Sequence, residues 1–168
     1  MTIAESMLIE FDQEFASTRK ILARVPFEQP NWSPHPKSMP LGRLAAHLAN
    51  IPNWVRFTVA EEELDMNPPG GPVFELPVVE STDDLVELFD LASRDAKAAL
   101  EGVQDSAMMV KWSLKNGGHE IFRLPRVAVL RSFIMNHMIH HRGQLTVYLR
   151  LNDVPLPGTY GPSADEAG

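Results

Sequence analysis

Apolar residues recur every three to four positions from the start of the chain. Ile3, Met7, Leu8, Phe11, Phe15, Leu22 and Val25 fall on one face of a helix over residues 2–25, the period of a helix packed against a core. Pro26 ends it, and four prolines between positions 26 and 38 mark a loop, with Trp32 packing back on the core. Ser38 can cap a second helix with Pro40 in its first turn, where a missing N–H costs nothing. Leu44, His47, Leu48, Ile51, Trp54, Val55 and Thr58 trace its buried stripe to about Glu62, and Pro52 predicts a kink. A crossing loop follows over 67–80. Ser81 or Thr82 then caps a third helix, with Asp83 and Asp84 in its first turn and Leu85, Leu88, Phe89, Ala92, Ala96, Ala99, Leu100 and Val103 facing inward.

Between 108 and 123 the period changes to two. Val110, Trp112 and Leu114 alternate, Asn116-Gly117-Gly118 follows, and Ile121 and Phe122 resume, which predicts a short hairpin or an extended lobe. Pro125 opens a last helix running to about Asn152, and residues 155–168 read as an irregular tail. The pattern predicts an all-α single domain over 1–168: an antiparallel four-helix bundle with a hairpin-like insertion before the last helix.

The length of 168 residues suits one domain with one core. A net charge of −7 with scattered basic residues argues against nucleic acid or an anionic membrane as a partner. Neither a basic-then-apolar leader nor a membrane-length apolar run is seen, so a cytoplasmic protein is expected. There are no cysteines. Disulfides, iron–sulfur ligation and a cysteine nucleophile are excluded, and His, Asp and Glu remain as strong metal ligands.

Six histidines are present, and three of them, His137, His140 and His141, lie in the last helix. On a wheel of about 100° per residue with Leu130 at zero, His137 falls at about −20° and His141 at about +20°, whereas His140 lies about 80° off. Phe133, Ile134, Leu145 and Tyr148 share the same apolar stripe. The wheel therefore selects His137 and His141 as an inward pair, four residues apart, the spacing at which one helix offers two nitrogens to one ion. His47 falls between Leu44 and Leu48 on the second helix and could be a third ligand. Three neutral imidazoles suit zinc, nickel, cobalt, copper or ferrous iron better than magnesium or calcium. Three protein ligands leave a position open for water or substrate. Gln144, one turn beyond His141, is a candidate outer-sphere or substrate contact. Tyr148 and Trp54 are candidate pocket residues. The competing reading is three core histidines, each satisfied by hydrogen bonds.

The Leu-Gly-Arg-Leu-Ala-Ala-His-Leu string at 41–48, His-Met-Ile-His-His-Arg-Gly-Gln-Leu at 137–145 and the tail at 149–163 resemble the DinB/YfiT-like family of metalloenzymes, its DinB branch above all. The resemblance implies an up-down-down-up four-helix bundle, a homodimer, and a nickel or zinc ion on three histidines matching His47, His137 and His141. It also implies a small-molecule substrate and a low-molecular-weight thiol such as mycothiol or bacillithiol in some relatives.

Two functions follow as expectations. The first is a metal-dependent transferase, isomerase or hydrolase that activates a thiol or water against a small electrophile. The second is a non-catalytic dimeric bundle that binds metal for stability or sensing. No other nucleophile motif, phosphate-binding loop or paired-acid site is legible. Met135, Ile139 and Val147 lie off the histidine face and predict a second packing face or a dimer interface. Arg142 and Arg150 read as solvated or interfacial, with a substrate anchor as the alternative. Tyr160 and Ser163 read as part of a loosely packed tail. His35 and His119 read as exposed loop and turn residues.

Overall fold

The computed structural model describes residues 1–166. Helix α1, Ile3–Leu22, begins with a capping box: the Thr2 hydroxyl accepts from the Glu5 amide and Glu5 accepts from the Thr2 amide. It buries Met7, Phe11, Phe15, Thr18 and Leu22, one per turn. Phe15 stacks on Phe11 and meets Phe89 edge-on, with ring centroids 5.7 Å apart in the latter pair.

Helix α2, Leu41–Asn50, starts later than the sequence predicts. Pro40 rather than Ser38 precedes its first turn, with no side-chain cap. Backbone carbonyls of the proline loop do the capping: Leu41 N donates to Trp32 O and Gly42 N to Pro30 O, each at 2.8 Å. A side chain at Gly42 would place its Cβ 3.0 Å from the Pro30 Cβ. Pro52 does more than kink the second helix. It splits it into α2 and α3, Asn53–Ala60, and Asn53 Nδ2 donates to Asn50 Oδ1 across the break. The chain then turns into a short strand β1, Glu63–Asp65, that the sequence did not predict.

Helix α4, Thr82–Leu100, is capped by Ser81, whose hydroxyl accepts from the Asp84 amide. After a single turn, α5 (Asp105–Met108), strands β2 (Lys111–Asn116) and β3 (His119–Pro125) form the expected hairpin. β1 adds to it in parallel, giving a sheet of order β1-β2-β3. Gly117 and Gly118 supply the positive φ values of the hairpin turn. The Asp65 carboxylate accepts from both of their amides. The expectation of an all-α protein is corrected accordingly: the chain is mostly helical but carries a three-stranded sheet, because β1 pairs with residues about fifty positions away that local pattern cannot anticipate.

The last helical rod has three parts: one turn, α6 (Arg126–Ala128), a π-helical segment Val129–Met135, and α7, Asn136–Leu151. Arg126 ties its start to the end of α3 by donating to the carbonyls of Thr58 and Glu61. α1 packs on α4 and α7, α2 packs on α4 and α7, and α3 packs on α4 and the π-helical segment. One large apolar cluster fills the space between these helices. A smaller one, Trp112, Leu114 and Val129, joins the hairpin to the rod. Among the described residues no helix is long and apolar enough to cross a membrane.

Met135 and Ile139 fit the expected second packing face, and other residues sit otherwise than expected. Met135 is buried in the core, Ile139 is partly buried against it, and Val147 is 57% exposed. Arg142 is not solvated. It is 2% exposed and ion-paired to Glu14 of α1 at 2.7 Å. Its other donors reach Thr18 Oγ1, the Glu14 carbonyl and the Tyr160 hydroxyl. Arg150 is exposed, as expected, and pairs with Asp165. The tail forms no helix or strand over the described residues 155–166, but it is not loose. Tyr160 is held by Glu14 and Arg142, and Ser163 donates to the Leu156 carbonyl. Ala167 and Gly168 lie outside the described residues.

Candidate metal centre

α2 and α7 lie against each other, and the inward positions of their facing turns carry His47, His137 and His141. The ligand-capable atoms of the three all lie within 4.8 Å of one another. His137 Nε2 is 3.2 Å from His47 Nε2 and 2.8 Å from His141 Nε2. The His47 and His141 rings meet edge-on, with centroids 4.7 Å apart. The wheel's choice of His137 and His141 over His140 agrees with this geometry, since His140 is exposed beside the His141 ring.

The histidines lie to one side of the buried face of α7 and not at its centre. Met138, Arg142 and Leu149 are also buried, and they extend the covered face to about +120° on the same wheel. Met138 and Leu149 make part of this sector legible as apolar, whereas Arg142, a charged residue, is legible only in the fold. His137 therefore lies toward one edge of that face and is half-buried, as is His47 on α2, while His141 is 8% exposed.

Burial disfavours the charged imidazolium, and the three rings add mutual repulsion. Burial, then the neighbouring His141 and Arg43, holds His47 at about 4. Burial, then His141, His47 and His140, holds His137 at about 4. His141 is also lowered by burial, with Gln144 opposing the shift. All three are thus neutral at pH 7 and present lone pairs rather than charges.

The tautomers can be argued from partners. Gln144 Oε1 lies 2.7 Å from His141 Nδ1 and, as an acceptor, assigns the proton to Nδ1. His141 Nε2 then carries a bare lone pair directed at the other two rings. Three imidazole nitrogens converging in this way are what a divalent transition ion satisfies, since ligands about 2.1 Å from one ion stand roughly 3 Å apart. The donor set fits such an ion. His137 Nδ1 is buried without a partner, so His137 lacks the outer hydrogen bond that orients His141.

Aromatic rings wall the centre on one side. Phe133 lies 5.7 Å and Trp54 6.1 Å from the His137 ring, centroid to centroid. Phe122 of the hairpin packs on Phe133, and Phe74 of the crossing loop meets Trp54 edge-on. Trp54 thus adjoins the histidines. Tyr148 is buried, with its ring edge-on to Trp32 at 5.6 Å. Phe74 and Phe122 were not anticipated as site residues, because one lies in a loop and the other in a strand remote in sequence.

Comparison with known proteins places this arrangement in context. The sequence profile of the DinB family matches residues 1–167. An uncharacterized Bacillus subtilis (strain 168) protein, YrdA, is 24% identical over 168 residues, covering 96% of this chain and 90% of that protein. The crystal structure of a DinB-like protein from Bacillus cereus ATCC 10987 superposes with a TM-score of 0.71 at 25% identity, covering 93% of this chain and 97% of that one. A second DinB-like protein, YjoA of Bacillus subtilis, gives a TM-score of 0.65 at 19% identity over 92% of this chain and 97% of that one.

Proposed function

This chain belongs to the DinB family, and we propose that it is a metal-dependent enzyme acting on a small molecule. His47, His137 and His141 hold one divalent transition ion, with nickel and zinc the leading candidates. The observation that carries this is the convergence of three neutral Nε2 atoms from two helices, 3.2 and 2.8 Å apart along the His47–His137–His141 chain of contacts. Bound there, the ion supplies Lewis acidity and acidifies a water or thiol. The protein's own residues do the rest. Gln144 fixes the His141 tautomer, burial keeps the rings unprotonated, and Trp54 and Phe133 shield one side from water. Partial exposure of His47 and His137 favours a working site over a closed structural one.

The reaction is transfer of a thiol to, or hydrolysis of, a small electrophile, with a low-molecular-weight thiol as co-substrate in the transfer case. The assembly is a homodimer in a bacterial cytoplasm, and the 57% exposure of Val147 on α7 supports an interface there. The helices follow the up-down-down-up bundle order, which the packing of α1 and α2 on both α4 and α7 supports.

The test is metal analysis of untagged protein after reconstitution with zinc and with nickel, beside His47→Ala and His141→Ala. About one ion per chain in the wild type and little in either variant is the expected result. A wild type that takes up neither metal refutes the site. Thiol consumption against a panel of electrophiles then tests the reaction, and an inert metal-loaded protein refutes the enzyme.

A further inference from the structure

The arginines of α2 and of the last helical rod differ in how far they are already engaged. Arg142 is paired to Glu14, Arg150 to Asp165 and Arg131 to Glu10. Arg43 is exposed and takes part in no ion pair among the described residues. It lies four residues before His47 on α2, so the two side chains share one face of that helix, a turn apart.

Arg43 also lines a groove of about 380 Å³ between the proline loop and the crossing loop. The walls are apolar: Phe27, Ala46, Leu76, Val78 and Val79 among them, and no carboxylate contributes. The volume lies within the range of small-molecule sites, which combine apolar walls with a few polar anchors. In a chain of net charge −7, a solitary unpaired guanidinium at the edge of an apolar groove selects for an anion.

We propose that this groove binds the apolar body of a small organic anion, with Arg43 pairing to its carboxylate beside His47. A guanidinium recognises a carboxylate through paired N–H donors. The apolar walls add affinity with each methylene covered. The proposal rests on the function argued above only for its place one helical turn from His47, since none of the three histidines lines the groove.

Amide NMR titration of the chelator-treated protein tests it with octanoate, butyrate, octanol and octylammonium as probes, on the wild type and on Arg43→Gln. Octanoate should shift the amides of Phe27, Ala46 and Val79, and should bind tighter than butyrate by about threefold per added methylene. Arg43→Gln should weaken octanoate at least about fivefold and leave octanol unchanged. Octanoate binding that Arg43→Gln leaves intact overturns the proposal, as does no shift in the groove up to the micelle limit. Octylammonium binding as tightly as octanoate overturns it too. Groove shifts that follow protein concentration instead of probe assign the surface to a second copy and overturn it as well. Metal uptake is measured on the same preparation, so failure of the metal reading and failure of the groove are told apart.

Discussion

His47 and His137 stand ninety positions apart in the chain, and their Nε2 atoms stand 3.2 Å apart. α2 and α7 pack directly on each other, so the contact belongs to the helix interface rather than to a mobile loop. His141, one turn on, completes the group from the same face of α7.

Loss of a ligand and loss of its support should differ in size. Gln144→Ala removes the acceptor that orients His141 and should weaken metal binding roughly 10- to 100-fold. His47→Ala should weaken it further, because a donor itself is lost. Competition with a chromophoric chelator measures both. Equal losses would show that Gln144 does not act through His141.

Acid should destabilise the metal-free protein over a defined window. His47 and His137 are held at about 4 in the folded state, below the roughly 6.5 of an unfolded histidine. The unfolded chain therefore binds more protons between these values, and stability falls with pH there. It is fully present above about pH 6.5 and lost as pH falls through 4. Urea midpoints from pH 7.5 to 4.5 follow this. His137→Phe should flatten the slope, and an unchanged slope would contradict the lowered values.

Arg142→Leu should destabilise the fold by about 3 kcal/mol, because it leaves the Glu14 carboxylate buried beside α7 without its cation. Tyr160→Phe removes only one hydroxyl from the same network and should cost about 1 kcal/mol. Chemical denaturation gives both numbers. A larger effect at Tyr160 would mean that the tail, rather than the ion pair, dominates.

Gly42→Ala sets two effects against each other. Alanine gains about 1 kcal/mol of helix propensity over glycine. The new methyl would sit 3.0 Å from the Pro30 Cβ and 3.3 Å from its carbonyl oxygen. Overpacking costs about 1–3 kcal/mol. Neither a proline ring nor a backbone carbonyl yields easily, so the net result should be a lower thermal midpoint. A raised midpoint would show that the proline loop can move aside.

Much of this candidate site was legible because its three histidines obey helix periodicity. His137 and His141 are separated from His140 by angle alone, and His47 by its place between Leu44 and Leu48. What was not legible depends on distant pairing. Arg142 read as a surface charge, since its partners Glu14 and Tyr160 lie on α1 and in the tail. β1 is three residues long and exists only because Ser113–Lys115 lies alongside it. Ser38 has the chemistry of a cap, but the carbonyls of Pro30 and Trp32 perform that task in its place.

Val129–Met135 shows the same limit from within one helix, since its residue types read as ordinary α-helix. A π turn carries about one residue more than an α turn, and such turns are rare outside functional sites. The wide segment lies between the hairpin, which presents Phe122, and α7, which presents His137 and His141. It therefore sets their angular phase about the rod. Shortening it by one residue would rotate the aromatic wall relative to the ligands while leaving the His137–His141 spacing intact. Relatives that keep the histidines could thus reshape the cavity around them by a single insertion or deletion here.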